Sequence, residues 1–158
     1  MIIGVIGGGK CTAEIYGLAF EVGAEIARHN KTLICGGLGG VMESVCKGAK
    51  SENGLTIGVL PGKLKGEANQ WVDIPIVTGM GVARNVIIVR TADSIIAIDG
   101  SYGTLSELAI ASNLGVPIVG LKTWEVAELP IKRVNTPKEA VKLAIKLADE
   151  RIIKMPSI

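Results

Sequence analysis

Aromatic residues are scarce in this chain of 158 residues, and neither sign of charge dominates. Phe, Trp and Tyr make up only 3% of the sequence, which disfavours an aromatic-rich β-sandwich and leaves Ile, Val, Leu and Ala to build the core. The formal net charge is +2, and no run of five or more basic residues occurs. A charge balance of this kind predicts no binding to nucleic acid.

Long apolar runs and paired cysteines are also missing. Charged residues interrupt every apolar segment well before the roughly 20 residues that a membrane span needs. The chain opens on the strand-like segment Ile2–Ile6 without the pattern of a signal peptide, which predicts a cytoplasmic protein. Cys11, Cys35 and Cys46 lack CxxC spacing, which disfavours disulfides and a metal site. We expect Cys35 and Cys46 to be buried, while Cys11 follows a glycine turn and remains a candidate reactive thiol.

Short β-branched segments alternate with helical segments along the whole chain. The predicted strands are Ile2–Ile6, Thr32–Cys35, Leu55–Leu60, Ile74–Val77, Ser94–Ile98, Val116–Leu121 and Ile131–Val134. The predicted helices are Thr12–His29, Val41–Glu52, Val82–Thr91, Thr104–Asn113 and Pro137–Glu150. This alternation predicts an α/β fold, a doubly wound, mostly parallel sheet of about seven strands in a Rossmann-like three-layer sandwich. Because no linker interrupts the pattern, residues 1–158 are expected to form a single nucleotide-binding domain.

Glycine clusters follow three of the predicted strands. They are Gly7-Gly8-Gly9-Lys10, Gly36-Gly37-Leu38-Gly39-Gly40 and Gly100-Ser101-Tyr102-Gly103-Thr104. Because parallel strands end at the same edge of a sheet, these turns are expected to share one pocket. Glycine allows a close approach of the backbone to a ligand, and a helix N-terminus offers unpaired N–H groups to an anion. The pattern predicts a site for a phosphorylated ligand, although neither the GxGxxG nor the GxxxxGK[ST] motif is met.

Two charged residues lie close to these turns. Arg84, beside Asn85, either clamps a phosphate or ribose with paired hydrogen bonds or forms a structural ion pair between two helices. Glu107 follows Thr104 by three residues, so it fits a capping box, a position facing the ligand, or both. The residues predicted to bind the ligand are Gly8, Gly9, Lys10, Gly36, Gly37, Gly39, Gly40, Met80, Arg84, Asn85, Gly100, Ser101, Tyr102, Gly103, Thr104 and Glu107.

Two of the predicted helices are apolar around most of their circumference. They are Val82–Thr91 and the helix that starts at Thr104. A helix on the surface of a monomer needs only one apolar stripe. The excess predicts that these helices also pack against another subunit, and the alternative is a deeply buried helix pair within a monomer.

Four motifs occur in order along the chain. They are Gly36-Gly37-Leu38-Gly39-Gly40-Val41-Met42-Glu43, Leu60-Pro61-Gly62, Thr78-Gly79-Met80-Gly81-Val82-Ala83-Arg84-Asn85 and Gly100-Ser101-Tyr102-Gly103-Thr104-Leu105-Ser106-Glu107. Together they resemble the Rossmann-like nucleotide-binding family that includes the molybdenum cofactor carrier protein and is related to the LONELY GUY phosphoribohydrolases. The resemblance covers nearly the whole chain. It implies a doubly wound sheet, a dimer or tetramer, and a pocket for a phosphorylated pterin- or nucleotide-like compound.

The resemblance also assigns roles to single residues. By similarity to the LONELY GUY enzymes, Arg84 and Glu107 would be catalytic residues that cleave an N-glycosidic bond. Two positions depart from those enzymes, because Asn85 replaces a lysine, as in the carrier branch, and Asp99 replaces a glycine. A carboxylate beside a phosphate opposes binding by about 1 kcal/mol or more. Asp99 is therefore expected either to pair with Lys10 or Arg84 or to point into solvent.

The favoured interpretation is a protein that binds or carries a phosphorylated nucleotide-like or molybdopterin-type small molecule. The alternative is a nucleoside 5′-monophosphate phosphoribohydrolase. No cofactor is expected to be required, although a bound nucleotide or molybdenum cofactor would be the ligand itself. The expected partners are this small molecule and further copies of the chain, with no nucleic acid and no membrane. Nothing in the sequence marks a lysine for pyridoxal phosphate, which disfavours lysine decarboxylase activity.

Overall fold

Seven parallel strands form one sheet in the computed structural model, which describes residues 1–154. The strands are β1 (Ile2–Gly7), β2 (Thr32–Cys35), β3 (Thr56–Leu60), β4 (Ile74–Val77), β5 (Ser94–Ile98), β6 (Ile118–Leu121) and β7 (Ile131–Val134). The helices are α1 (Ala13–Arg28), α2 (Val41–Ser51), α3 (Asn85–Thr91), α4 (Tyr102–Asn113) and α5 (Pro137–Lys154), with 3-10 turns at Lys65–Glu67 and Gly81–Arg84. The strand order is β4-β3-β2-β1-β5-β6-β7, which confirms the predicted doubly wound sheet.

Helices cover both faces of this sheet and give three layers. The first core cluster joins the sheet to α1, α2 and α5, and the second joins it to α3 and α4. All five residues of β5 are buried, as expected for a continuous apolar strand that is covered on both faces. Among the described residues, no helix has the length and apolar character needed to cross a membrane.

The strand order reverses between β1 and β5. From β1 the chain winds outward through β2 and β3 to β4, and β5 then returns to the other side of β1. In the parallel register Gly7 lies opposite Ile98, so these two strands end at the same level. Ligands of doubly wound sheets bind in the crevice outside such a reversal. The glycine turns after β1 and β5 therefore flank the crevice in which doubly wound sheets commonly bind a ligand.

The start of α4 differs from the prediction. The helix begins at Tyr102 rather than Thr104, and Ser101 is its N-cap in an extended conformation. The backbone N–H of Ser101 donates to the Thr104 hydroxyl at 3.3 Å. Of the roles considered for Glu107, the capping box with Thr104 is therefore wrong, because Thr104 already occupies the third helical position.

The start of α3 also differs from the prediction. The segment Gly81–Arg84 forms a 3-10 turn, and the α-helix begins only at Asn85. Gly79 and Gly81 have φ values of +63° and +57°, a left-handed conformation that glycine adopts without strain. The helical pattern of the sequence does not reveal this 3-10 turn, which places Arg84 directly before the first residue of α3.

Smaller differences affect the ends of other elements. The strands predicted from Leu55 and Val116 begin at Thr56 and Ile118, and α5 continues beyond Glu150 to Lys154. The later start of β6 has a clear cause, since the Val116 N–H donates to the Ala111 carbonyl at 2.9 Å and so caps α4. Helices α1 and α2 are each one residue shorter than predicted at the C-terminal end.

Helices α1 and α2 meet at two glycines. A Cβ atom at Gly48 would overlap the Phe20 carbonyl oxygen, and a Cβ atom at Gly23 would overlap the Val45 carbonyl oxygen. The two backbones are therefore in direct contact, which only residues without a side chain allow. This contact fixes the position of α2 and of the glycine loop that precedes it.

Candidate functional site

A cavity of about 270 Å³ lies at the reversal between β1 and β5. It is formed by the end of β1, the loops after β1, β2 and β3, the 3-10 turn before α3, and the start of α4. Its lining residues are Val5, Ile6, Gly7, Gly9, Gly36, Leu38, Met42, Pro61, Gly81, Val82, Arg84, Asn85, Ser101, Gly103, Thr104 and Glu107. Turns from separate strands thus converge on one space, as the glycine pattern predicts.

Half of the predicted ligand-binding residues line this cavity. They are Gly9, Gly36, Arg84, Asn85, Ser101, Gly103, Thr104 and Glu107. The others lie in the same turns without lining it, namely Gly8, Lys10, Gly37, Gly39, Gly40, Met80, Gly100 and Tyr102. For the residues that line the cavity and for those that do not, contact with a ligand remains a prediction.

Several lining residues had no role in the sequence analysis. Leu38, Met42, Pro61, Gly81 and Val82 all lie inside the four ordered motifs, which was the available signal. They are apolar or lack a side chain, so residue type alone did not connect them with a polar ligand. They add apolar surface to the cavity beside its charged groups, and a mainly apolar lining with a few polar groups is typical of small-molecule sites.

The loops after β1 and β2 touch each other beside the cavity. The Val41 N–H donates to the Gly8 carbonyl at 3.0 Å. Gly40 has φ +62°, and a Cβ atom there would collide with the backbone of Gly8 and Gly9. The loop after β3 joins them, since the Asn69 side chain donates to the Leu38 carbonyl at 2.9 Å. The glycines therefore serve the packing of one loop on another as well as the shape of the cavity.

The N-terminus of α4 faces the cavity. Ser101, Gly103 and Thr104 line it, and the first backbone N–H groups of a helix have no partner within that helix. The helix runs through Asn113, long enough for its peptide dipoles to add a partial positive charge at this end. Unpaired N–H groups and this charge together favour an anion such as a phosphate.

The backbone conformation of Asp99 accounts for the presence of Asp at a position where the related enzymes have glycine. Asp99 has φ +52°, a conformation that favours glycine and is tolerated by Asp, which accounts for the glycine expected at this position. Its N–H donates to the Lys122 carbonyl at 3.1 Å, and its carbonyl accepts from the Thr123 hydroxyl at 2.6 Å. Of the two alternatives for Asp99, the ion pair with Lys10 or Arg84 is not formed within residues 1–154, where Arg84 pairs with Glu107 instead.

Removing the charge at Asp99 is expected to tighten the binding of AMP. Both Asp99→Gly and Asp99→Asn tolerate the positive φ and remove a carboxylate from the turn after β5. We expect about fivefold tighter binding for each, from about 1 kcal/mol of relieved repulsion, measured by isothermal titration calorimetry. Unchanged affinity in both variants would mean that the carboxylate does not act on the phosphate. An effect of Gly alone would assign it to the backbone.

Arg84 and Glu107 form a buried ion pair at the wall of the cavity. Their relative exposures are only 8% and 6%, and Arg84 Nη1 lies 3.6 Å from Glu107 Oε1. Arg84 Nη1 also donates to Asn85 Oδ1, and Asn85 Nδ2 donates to the Ser106 hydroxyl at 3.2 Å, so α3 and α4 are tied together. The Nε of Arg84 is buried without a hydrogen-bond partner among the described residues. The guanidinium thus retains a free donor.

The charge of Glu107 changes near neutral pH. Burial raises the pKa of Glu107 to about 7, and the positive charge of Arg84 opposes this rise. Burial also lowers the pKa of Arg84, although Glu107 opposes that shift. Below pH 7 the carboxyl is protonated and the positive charge of Arg84 is not neutralised, whereas above pH 7 the two charges cancel.

Anion binding is therefore expected to weaken as the pH rises through 7. Sulfate is a suitable probe, because its own charge is constant across this range. We expect calorimetry to show about tenfold tighter sulfate binding at pH 6 than at pH 8. Between these two pH values Glu107 loses its proton, and its negative charge then neutralises the positive charge of Arg84. Glu107→Gln should bind with the same affinity at both values, close to that of the unmodified protein at pH 6. An equal pH dependence in this variant would contradict the role of Glu107.

None of the three cysteines lines the cavity. Cys35 and Cys46 are fully buried, as predicted, with their sulfur atoms 3.4 Å apart. Burial, with the nearby charge of Asp99, raises the pKa of Cys11, so this thiol stays protonated at neutral pH and is a poor nucleophile. Among residues 1–154, no group of three or more His, Cys, Asp or Glu side chains is placed to hold a metal ion.

Comparison with solved structures identifies close relatives of this fold. The molybdenum cofactor binding protein of the phototrophic bacterium Rippkaea orientalis superimposes with a TM-score of 0.87 at 36% identity, over 92% of this chain and 96% of that one. The molybdenum cofactor carrier protein of Chlamydomonas reinhardtii superimposes with a TM-score of 0.82 at 34% identity, over 94% and 98% of the two chains. The predicted resemblance to carrier proteins is therefore confirmed.

Sequence comparison identifies further relatives and a family model that matches the chain. An uncharacterised protein of Archaeoglobus fulgidus is 50% identical over 92% of this chain and 95% of its own length. A cytokinin riboside 5′-monophosphate phosphoribohydrolase of Mycobacterium tuberculosis is 38% identical over 71% of this chain and 65% of its own length. The model of the SLOG cluster4 family matches residues 1–152. The chain belongs to the SLOG cluster4 family.

Proposed function

We propose that this protein binds, and as a carrier transfers, a phosphorylated small molecule of the nucleotide or molybdopterin type. One observation carries the proposal: the N-terminus of α4, the loops after β1 and β2, and the buried Arg84 line a single cavity. A phosphate there would accept hydrogen bonds from helix amides and meet a guanidinium with a free donor. The two structural neighbours that bind or carry the molybdenum cofactor support this class of ligand.

The apolar part of the cavity lining suits the rest of such a ligand. Leu38, Met42 and Val82 present apolar side chains to the cavity. Apolar surface together with a few fixed polar groups orients the part of the ligand that adjoins its charged end. A free inorganic anion would use only the charged groups.

Hydrolysis of nucleoside monophosphates is a second candidate, favoured by the Arg84–Glu107 pair. A carboxyl group with a pKa of about 7 is suited to proton transfer at neutral pH, and it lies beside a cation at the cavity wall. The curated phosphoribohydrolase relative, however, matches only 71% of this chain. Binding without turnover is therefore the first proposal.

Native mass spectrometry of freshly purified protein tests the proposal. We expect a retained small molecule of the nucleotide or pterin class, displaced by added AMP. Incubation with AMP then separates the candidates, because a carrier leaves AMP intact, whereas a hydrolase releases adenine and ribose 5-phosphate. Loss of that release in Glu107→Ala would establish the enzyme. Absence of any retained molecule and of AMP binding would contradict both candidates.

We also propose that the protein is a homo-oligomer whose subunits meet near α3 and α4. Val82, in the turn before α3, is exposed by 83%, and Val86, on α3, by 38%. A groove of about 410 Å³ between the two helices adjoins this surface and is lined by Val86, Arg90, Ala109, Ile110, Asn113 and Leu114. The subunit count in the same mass spectra tests this, and a monomer would contradict it.

A further inference from the structure

Two aromatic rings contact each other at the start of α4. The whole chain contains only two Trp, two Tyr and one Phe. The rings of Tyr102 and Trp124 lie with their centroids 6.2 Å apart and their planes tilted by 33°. Tyr102 is the first residue of α4, between Ser101 and Gly103, which both line the cavity. Two of the five aromatic residues thus lie beside the proposed phosphate site.

Hydrogen bonds to the turn after β5 fix the position of Trp124. Its indole N–H donates to the Ser101 carbonyl at 3.3 Å. The neighbouring Thr123 hydroxyl donates to the Asp99 carbonyl, and Arg133 Nη2 donates to the Trp124 carbonyl, both at 2.6 Å. The segment after β6 is therefore held against the turn after β5. A ring fixed in this way loses little conformational freedom when a ligand stacks on the pair.

The Tyr102 side chain does not pack into either core cluster. Its relative exposure is 84%, while Trp124 is partly buried against the core cluster of α3 and α4. The outer ring of the pair is therefore open to solvent and rests on an inner ring that is anchored. Planar heterocycles stack on such surfaces, and removal of one stacking ring weakens binding by roughly tenfold or more.

We infer that Tyr102 and Trp124 form a stacking site for the planar nitrogen heterocycle of the ligand whose phosphate lies at the α4 N-terminus. This inference rests on the proposed function and extends it, because it says which part of the ligand decides specificity. Nucleobases and pterins share the flat ring that such a site reads. Stacking is tolerant of ring identity, so the site selects for a planar ring rather than for one particular base.

Two probes separate the ring from the phosphate. AMP carries both groups, and ribose 5-phosphate carries the phosphate alone. By calorimetry, Tyr102→Ala should weaken AMP binding about tenfold and leave ribose 5-phosphate binding within about twofold. Tyr102→Phe, which keeps the ring, should restore AMP binding. Leu64→Ala is the matched control, because it shortens another exposed apolar side chain, 68% exposed, outside the cavity.

Tryptophan fluorescence gives a second readout. The only other tryptophan, Trp71, lies near the Lys47 ammonium, 5.8 Å from the ring centroid, and Trp71→Phe leaves Trp124 as the single emitter. In that variant AMP should quench the emission and ribose 5-phosphate should not. If both probes bind but Tyr102→Ala affects them equally or not at all, the stacking site is wrong while the proposed function stands. If neither probe binds the unmodified protein, both proposals are overturned.

Discussion

Replacing Arg84 by alanine is expected to weaken AMP binding by about 100-fold or more. Truncation of a buried charge that meets an opposite charge costs about 2–5 kcal/mol, and Arg84 is the buried cation of the cavity, with its Nε unpartnered within the described residues. The fold should tolerate the change, because Glu107, with a pKa raised to about 7, becomes neutral by taking up a proton. Calorimetry with AMP at pH 7 measures the effect, with circular dichroism to confirm folding.

Two matched variants make this result specific. Arg84→Lys retains the charge but presents no planar fork, so we expect an intermediate loss of affinity. Glu107→Gln retains Arg84 and removes the opposing carboxylate, so AMP binding above pH 7 should become tighter. A folded Arg84→Ala variant that binds AMP with unchanged affinity would contradict a direct role of the guanidinium and assign the ion pair to structure alone.

Replacing Gly48 by alanine is expected to lower the free energy of unfolding by about 3 kcal/mol or more. The added Cβ atom would overlap the backbone carbonyl of Phe20, and a backbone atom cannot rotate away as a side chain does. Helices α1 and α2 would have to separate, and overpacking of this kind typically costs about 1–3 kcal/mol, with larger values where the obstacle is rigid. Urea denaturation followed by circular dichroism measures the change.

Gly17→Ala is the control for this prediction. Gly17 lies on α1, the other helix of this contact, but an added Cβ atom there meets nothing within 4 Å. Because alanine favours the helix more than glycine does, this variant should be more stable by about 1 kcal/mol. Opposite signs at two helical glycines would establish the backbone contact. A neutral or stabilising effect of Gly48→Ala would mean that α1 and α2 are further apart than described.

The sheet was predictable because its signals are local. Continuous β-branched segments such as Ser94–Ile98 predict buried parallel strands, and glycines at strand ends predict turns at one edge. The start of α4 was not predictable in the same way. Ser101 and Thr104 are both good capping residues, and the choice between them depends on the left-handed backbone of Asp99 and on Gly100 with φ +138°.

The chemistry of the site depends on contacts that the sequence does not display. Arg84 and Glu107 were singled out separately, but their burial as a pair follows from the packing of α3 against α4. The left-handed conformation of Asp99 explains why it replaces a glycine, which its charge alone did not. Trp124 received no role from the sequence, because only the sheet brings the turn after β6 beside the turn after β5.

The most direct test of a shared anion site is a titration of isotope-labelled protein with AMP, followed by backbone amide resonances in two-dimensional NMR. If the turns act together, the amides of Gly9, Gly36, Gly103 and Thr104 should shift along one common saturation curve. The amide of Gly48, at the contact between α1 and α2, should not move. Shifts confined to one turn, or saturation at different AMP concentrations for different turns, would contradict a single anion held at the β1–β5 reversal.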